Sequence, residues 1–160
     1  MTAEELWKES GLIGEYSAWS FGDDADQLAE LVKDEVKTAT SSLHCFYEIE
    51  EEPLPEVGEY SVILDSKEEA VCIIQTTKVY ITTFDEVGEE HAFKEGEGDR
   101  TLAHWKRVHH DFFTEELETI GKTLDGKTKL VCEEFKVVHG NGGNTDARGW
   151  VLQRRDRTIK

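Results

Sequence analysis

The chain has 160 residues, of which 33% are charged and 38% apolar, and its formal charge is −17. A chain of this length builds one hydrophobic core without disulfide or metal staples, and the apolar periodicity along most of it excludes a disordered polypeptide. The negative field excludes broad, salt-driven binding to long duplex nucleic acid but leaves room for a small ligand or a few nucleotides in one pocket.

Thr2 followed by Glu5 forms a capping box, which predicts a first helix to about Ser10 with Gly11 ending it. This start is acidic where a signal peptide would be basic, and no apolar run approaches a membrane span, so a cytoplasmic protein with no membrane partner is expected. The stretch from Tyr16 to Gly22 reads as an aromatic loop. Asp23 or Asp24 caps a second helix whose Leu28, Leu31, Val32 and Val36 form a buried stripe. From Thr38 to Ile49 the residues favour a first long strand, before Pro53, Pro55 and Gly58 break the chain. Tyr60–Leu64 and Ala70–Ile74 flank a polar turn and read as a hairpin, its second arm continuing to about Phe84. A short helix over Glu89 to Lys94 leads into Gly96-Glu97-Gly98-Asp99-Arg100. The longest helix follows, with Leu102, Trp105, His109, Phe112, Phe113 and Leu117 on one face and Gly121 after its end. A last strand spans about Lys129 to His139.

From residue 140 onward Gly, Asn and charge dominate. Five cations against Asp146 and Asp156 leave a surplus of three positive charges, so residues 140–160 read as a flexible basic tail, dispensable for folding, behind a domain over residues 1–139. Strands joined by short turns, with helices before and after them, predict an α/β chain of the α+β type. A strongly curved mixed sheet or small barrel fits this order better than a doubly wound sheet, because the βαβ alternation is missing.

Several residue groups carry possible chemistry. Lys37-Thr38-Ala39-Thr40 sits at a helix-to-strand junction. It reads either as a solvated lysine beside a good β-former or, given an irregular backbone between Lys37 and Thr40, as two groups sharing a pocket. The Gly96–Arg100 segment is either a plain loop and cap or an anion site built from Arg100 and the free amides of the next helix. Trp19 and Phe21 form either a lid over the core or a stacking platform for a base. His104, His109 and His110 lack the spacing of a helical metalloprotease site, and His109 shares the apolar face of its helix as a hydrogen-bonded histidine. Cys45, Cys72 and Cys132 lie far apart with neither CxxC nor zinc-finger spacing, so reduced thiols, no metal and no cofactor are expected.

Taken in order, several segments resemble one family. These are Ala18-Trp19-Ser20-Phe21-Gly22-Asp23, Lys37-Thr38-Ala39-Thr40, the run from Pro53 to Tyr60, Glu90-His91-Ala92, and Gly96–Arg100 with Trp105, His109 and Phe112-Phe113. Together they resemble the ASCH domain family, in its longer bacterial branch, over about residues 3–139. The resemblance implies a PUA-like fold, a small mixed β-barrel with helices packed around it and a cleft near the helix–strand junction. It implies a protein acting on RNA or a modified nucleoside, as a hydrolase of the acyl-amide of acetylated cytidine or of an RNA phosphodiester. Lys37, Thr40 and Glu95 fall on the catalytic positions, and Trp19, Phe21, Arg100 and His109 are the candidate ligand-binding residues. The alternative is a non-catalytic module that binds single-stranded RNA or senses a nucleotide, stacking bases on Trp19 and Phe21 and holding phosphate on Arg100. Glu35 stands where the amidohydrolase branch has glycine and Ser42 where it has arginine, so Arg100 is the candidate substitute for that planar donor. Lys37 is either the neutral base for Thr40 or, in an ion pair with Glu95, an electrostatic stabiliser with Glu95 as base. As pocket residues, Lys37 and Glu95 are expected to tolerate replacement with little loss of stability.

Overall fold

The computed structural model describes residues 1–140, and the basic tail beyond them lies outside the described residues. Helix α1 (Ala3–Ser10) opens on the expected box: Thr2 Oγ1 accepts from the Glu5 amide and Glu5 Oε1 from the Thr2 amide. Gly11 closes it at φ 76, a left-handed conformation that costs glycine little. Leu6 and Trp7 then bury against Val62, Ala70 and Ile73 of the sheet.

The segment read as an aromatic loop contains a strand, β1 (Tyr16–Trp19), paired in parallel with β3 (Tyr60–Leu64). Four residues with exposed Ser17 and Ala18 in the middle carry too little alternation to announce a strand, and pairing with β3 is what orders them. Helix α2 (Ala25–Lys33) packs Ala29 and Val32 on Ile63, Cys72, Ile74 and Phe135. Leu28 and Leu31, expected in the same stripe, are only half-buried.

The strand expected to run to Ile49 ends early. β2 (Ala39–Leu43) pairs antiparallel with β5 (Lys129–Gly140), and the register ends at Leu43 opposite Leu130. β5 begins one residue before Leu130, so no ladder remains for the residues after Leu43. His44–Ile49 instead coils into α3, setting Cys45 and Phe46 against the core. The hairpin is as expected: β3 turns into the 14-residue β4 (Ala70–Thr83), which is long enough to pair with β3 on one side and β5 on the other. Irregularities at Ile73/Ile74 and Thr76/Lys78 bend it.

Strand order is β1-β3-β4-β5-β2, a five-stranded mixed sheet. The closed barrel is not formed: among the described residues no ladder joins β1 to β2, the two short outer strands. α2 packs over one face of this sheet. On the other face, α4 (Glu89–Glu95) and α5 (Leu102–Glu118) bury Ala92, Trp105, Phe113 and Leu117 against Leu43, Phe84, Leu130 and Cys132. No helix among the described residues is long and apolar enough to cross a membrane.

Candidate active site

Two chain reversals interlock at the open edge of β2. At the end of α2 the amides of Val36 and Lys37 both donate to the Leu31 carbonyl, after Glu35 has taken a left-handed φ of 62. A φ of this sign is one that glycine adopts without strain. The reversal turns Lys37 into the interior, where it is 1% exposed. The second reversal ends α4 at Gly96, φ 74, where a Cβ would lie 2.4 Å from the Val36 carbonyl oxygen. The Thr38 amide locks the two together by donating to the Lys94 carbonyl at 2.7 Å.

This interlock sets Lys37 against the end of α4. Its Nζ donates to Glu95 Oε1 at 3.1 Å and to Glu97 Oε2 at 2.9 Å, with the Glu95 carbonyl at 3.4 Å. Glu95, also 1% exposed, accepts on Oε2 from the Ser41 hydroxyl at 2.8 Å and from His91 Nε2 at 2.8 Å. His109 Nε2 lies 3.4 Å from Oε1. The other ring nitrogen of His109 is 2.9 Å from the Trp105 carbonyl, which only accepts, so Nδ1 carries a proton and Nε2 attracts the carboxylate when it is protonated too. His91 Nδ1 and Trp105 Nε1, both buried, have no hydrogen-bond partner among the described residues.

The electrostatics follow from these partners. Burial alone would drive Lys37 towards its neutral form, but Glu95 and Glu97 outweigh it and raise its pKa above the ordinary lysine value. Burial likewise opposes the Glu95 carboxylate, yet Lys37, His109 and His91 hold its pKa well below the usual carboxylate range. For His109 the same balance of burial against Glu95 and Glu97 ends with a raised pKa. Lys37 is thus an ammonium paired with a carboxylate, and of the two arrangements read from sequence the ion pair is the one built. Charges buried this deeply make replacement of either partner costly, contrary to the tolerance expected from sequence.

The network floors an open cleft of about 320 Å³. Phe21, Leu28 and Leu31, Val108 and Phe112 of α5, and Thr40 and Ser41 line it. Lys37 Nζ lies 5.4 Å from the Phe21 ring centroid, within cation–π range. Lys37, Thr40 and Glu95 therefore line one cleft although Lys37 and Glu95 are 58 positions apart. Only Lys37 and Glu95 touch. Thr40 makes no side-chain hydrogen bond among the described residues, and its neighbour Ser41 is the hydroxyl on Glu95.

The remaining candidates divide. Phe21 and His109 line the cleft, with His109 also stacked on Trp105 at 4.3 Å. Trp19 packs edge-to-face on Phe21 at 5.0 Å as part of the apolar cluster under α2 and is not part of the lining. Arg100 turns away from the cleft. Its guanidinium lies 3.7 Å from the Phe93 ring centroid, Nε donates to the Phe93 carbonyl at 3.1 Å, and Nη2 to the Val36 carbonyl at 3.3 Å. It is a latch on the two reversals. At the start of α5, Asp99 accepts from the amide of the capping Thr101, and the Thr101 hydroxyl accepts from the His104 amide.

Ser41, His91 and Glu97 are not among the site residues named from sequence, although His91 and Glu97 lie in the Glu90-His91-Ala92 and Gly96–Arg100 motifs. His91 and Glu95 stand i, i+4 on α4, a spacing visible in advance, whereas Ser41 reaches Glu95 because β2 is an outer strand lined by the cleft. Ligand atoms of Glu95, Glu97 and His109 lie within 4.8 Å of one another, as around a metal ion. The Lys37 ammonium already sits within 3.1 Å of both carboxylates, so a metal would compete with it for the same oxygens.

The family model of the ASCH domain matches residues 17–139. The chain belongs to the ASCH domain family. Its similarity to solved structures is in keeping with this. A crystal structure of an ASCH domain from Lactobacillus crispatus JV V101 superposes with a TM-score of 0.79 at 28% identity, over 85% of this chain and 93% of that one. A protein of Enterococcus faecalis V583 superposes with a TM-score of 0.78 at 36% identity, over 86% and 88% of the two chains. No curated protein matches. The floor of the cleft, from Lys37 to His109, lies wholly inside the matched part of this ASCH domain.

Proposed function

We propose that this ASCH domain is a hydrolase acting on RNA or a modified nucleoside, with acyl-amide hydrolysis of an acetylated cytidine as the leading reaction. The observation that carries the reading is the buried Lys37–Glu95 pair facing an open cleft. Buried ion pairs contribute little net stability compared with apolar packing, so a pair kept at the floor of a solvent-open cavity with aromatic walls suits chemistry better than folding. In this mechanism Lys37 stays protonated and its ammonium stabilises the oxyanion that develops on the attacked carbonyl. Glu95 accepts the proton of the attacking group and returns it to the leaving amine: attack by water releases the acid directly, whereas attack by the Thr40 hydroxyl leaves an acyl-Thr40 ester that a water, its proton taken by Glu95, then hydrolyses to restore the hydroxyl. Ser41 and His91 hold the Glu95 carboxylate in place, and His109 supplies a second positive charge. The donors crowding Glu95 make it a weak base, which predicts modest turnover.

The experiment is turnover of acetylcytidine and of a short single-stranded RNA by the full chain, with Lys37→Ala and Glu95→Gln as controls. Loss of product in both variants, with their folds verified by circular dichroism, is the expected result. No turnover by the wild-type chain would overturn the hydrolase reading. The second reading, a module that binds single-stranded RNA or a nucleoside in the cytoplasm without turnover, draws on the aromatic walls at Phe21 and Phe112 and would then take its place.

A further inference from the structure

The segment expected from sequence to hold an anion supplies one instead. Gly96 and Gly98 flank Glu97, and both are held in the left-handed region with φ of 74 and 59. A side chain on Gly96 would collide with the Val36 carbonyl, and a Cβ on Gly98 would lie 2.2 Å from the His104 ring. With its neighbours pinned on both sides, the loop holds Glu97 over the cleft, where its side chain is 18% exposed and bonds Lys37 from the solvent side at 2.9 Å.

This placement sets the charge pattern of the cleft. Lys37 is the single lysine or arginine among its described lining residues, against the carboxylates of Asp23, Asp24, Glu95 and Glu97. Its ammonium is already divided between two of them, and Arg100, the other candidate cation, is engaged with backbone carbonyls. The His109 imidazolium adds a second positive charge at the floor, 3.4 Å from the Glu95 carboxylate, so a phosphate entering here would meet carboxylates at the mouth and two cations already offset by Glu95 and Glu97 at the floor.

We infer that Glu97 is a charge filter: by occupying the outward side of the Lys37 ammonium, its carboxylate makes the cleft reject phosphate-bearing ligands and take uncharged or cationic ones. The inference deepens the proposed function, since it rests on the cleft being a ligand site. It narrows that function to nucleoside-sized molecules without a phosphate and disfavours the phosphodiester of RNA as the group bound at Lys37. A carboxylate about 4–5 Å from a bound anion changes its affinity about four- to sixfold per unit of charge even when solvent screens the pair as bulk water does, and so by more than about fivefold for a phosphate dianion.

The test titrates the full chain by calorimetry with three probes, cytidine, cytidine 5′-monophosphate and inorganic phosphate. For the wild type, cytidine binds at least about fivefold more tightly than its monophosphate and inorganic phosphate gives no heat. In Glu97→Gln the preference collapses towards unity and inorganic phosphate binds. A merely structural Glu97 would change melting temperature and leave the ratio of the two affinities alone, and that outcome overturns the filter. So does equal binding of cytidine and its monophosphate by the wild type. A wild type that ignores cytidine overturns the nucleoside reading instead, while the phosphate titration of Glu97→Gln still decides the filter. If Glu97→Gln does not fold, Glu97→Ser takes its place in both titrations, with the same outcomes.

Discussion

Glu95 at the end of α4, on the floor of the cleft, and the half-buried Glu133 in the middle of β5 are two carboxylates withdrawn from water to different depths, and they titrate in opposite directions. Burial and the neighbouring Glu59 push Glu133 up to about 7. Glu95, the more deeply buried of the two, is held well below the usual carboxylate range by Lys37, His109 and His91. Depth therefore does not decide ionisation here; partners do. Glu133 pairs across the ladder with Thr40 and has no cation or hydrogen bond of its own among the described residues, whereas Glu95 is ringed by donors. The contrast separates a carboxylate held charged by its partners from one left without a cation.

The largest effect is expected from removing the cation. Lys37→Met leaves Glu95 and Glu97 facing each other without the ammonium, and a loss of about 3–5 kcal/mol in urea unfolding is expected, as for other broken buried pairs. A loss below about 1 kcal/mol would show that Glu95 is relieved by another group and would remove the contrast with Glu133.

The next effect has the opposite sign. A carboxyl whose folded pKa lies above its unfolded value supports the fold while protonated, and that support is lost as pH rises from the unfolded value of about 4.3 through 7. Glu133→Gln is therefore expected to be more stable than wild type at pH 8 by about 1–3 kcal/mol and close to it at about pH 4, below the unfolded value, read from melting temperatures. Equal stability of the two proteins at pH 8 would show that Glu133 is solvated.

His109 gives a smaller, testable slope. Its folded pKa is raised above the ordinary value of about 6.5, so its contribution is full below that pH and lost as pH rises through the folded pKa. Wild type should lose stability relative to His109→Gln as pH rises above about 6.5 and through the raised folded pKa, and parallel profiles would show that Glu95 does not feel the imidazolium. The smallest effect is expected from Glu59→Gln, which removes the secondary cause of the Glu133 shift. The Glu133 carboxyl, followed by carbon NMR, should titrate at lower pH, though still above an exposed glutamate because burial is the larger cause. An unchanged titration would assign the whole shift to burial.

What local chemistry encodes was legible in the sequence. The reciprocal cap at Thr2 and Glu5, the hairpin of Tyr60–Leu64 with the long following strand, and the stripe of Trp105, His109, Phe113 and Leu117 all depend on neighbours a few residues away. The ordered motifs further carried the family and, through it, placed Lys37, Thr40 and Glu95 in one cleft. Tertiary structure alone decided the rest. β1 exists because β3 offers it a partner, and β2 stops at Leu43 because β5 begins at Lys129, facts that no window around either strand contains. The sheet stays open for the same reason, since closure requires its two outer strands to meet. Charged side chains were the least legible. Arg100 reads from sequence as a phosphate donor and is a backbone latch, while Glu97 reads as loop and sits on the one lysine of the cleft. A long charged side chain takes its direction from whichever distant partner best offsets its desolvation, and only the folded chain brings that partner near.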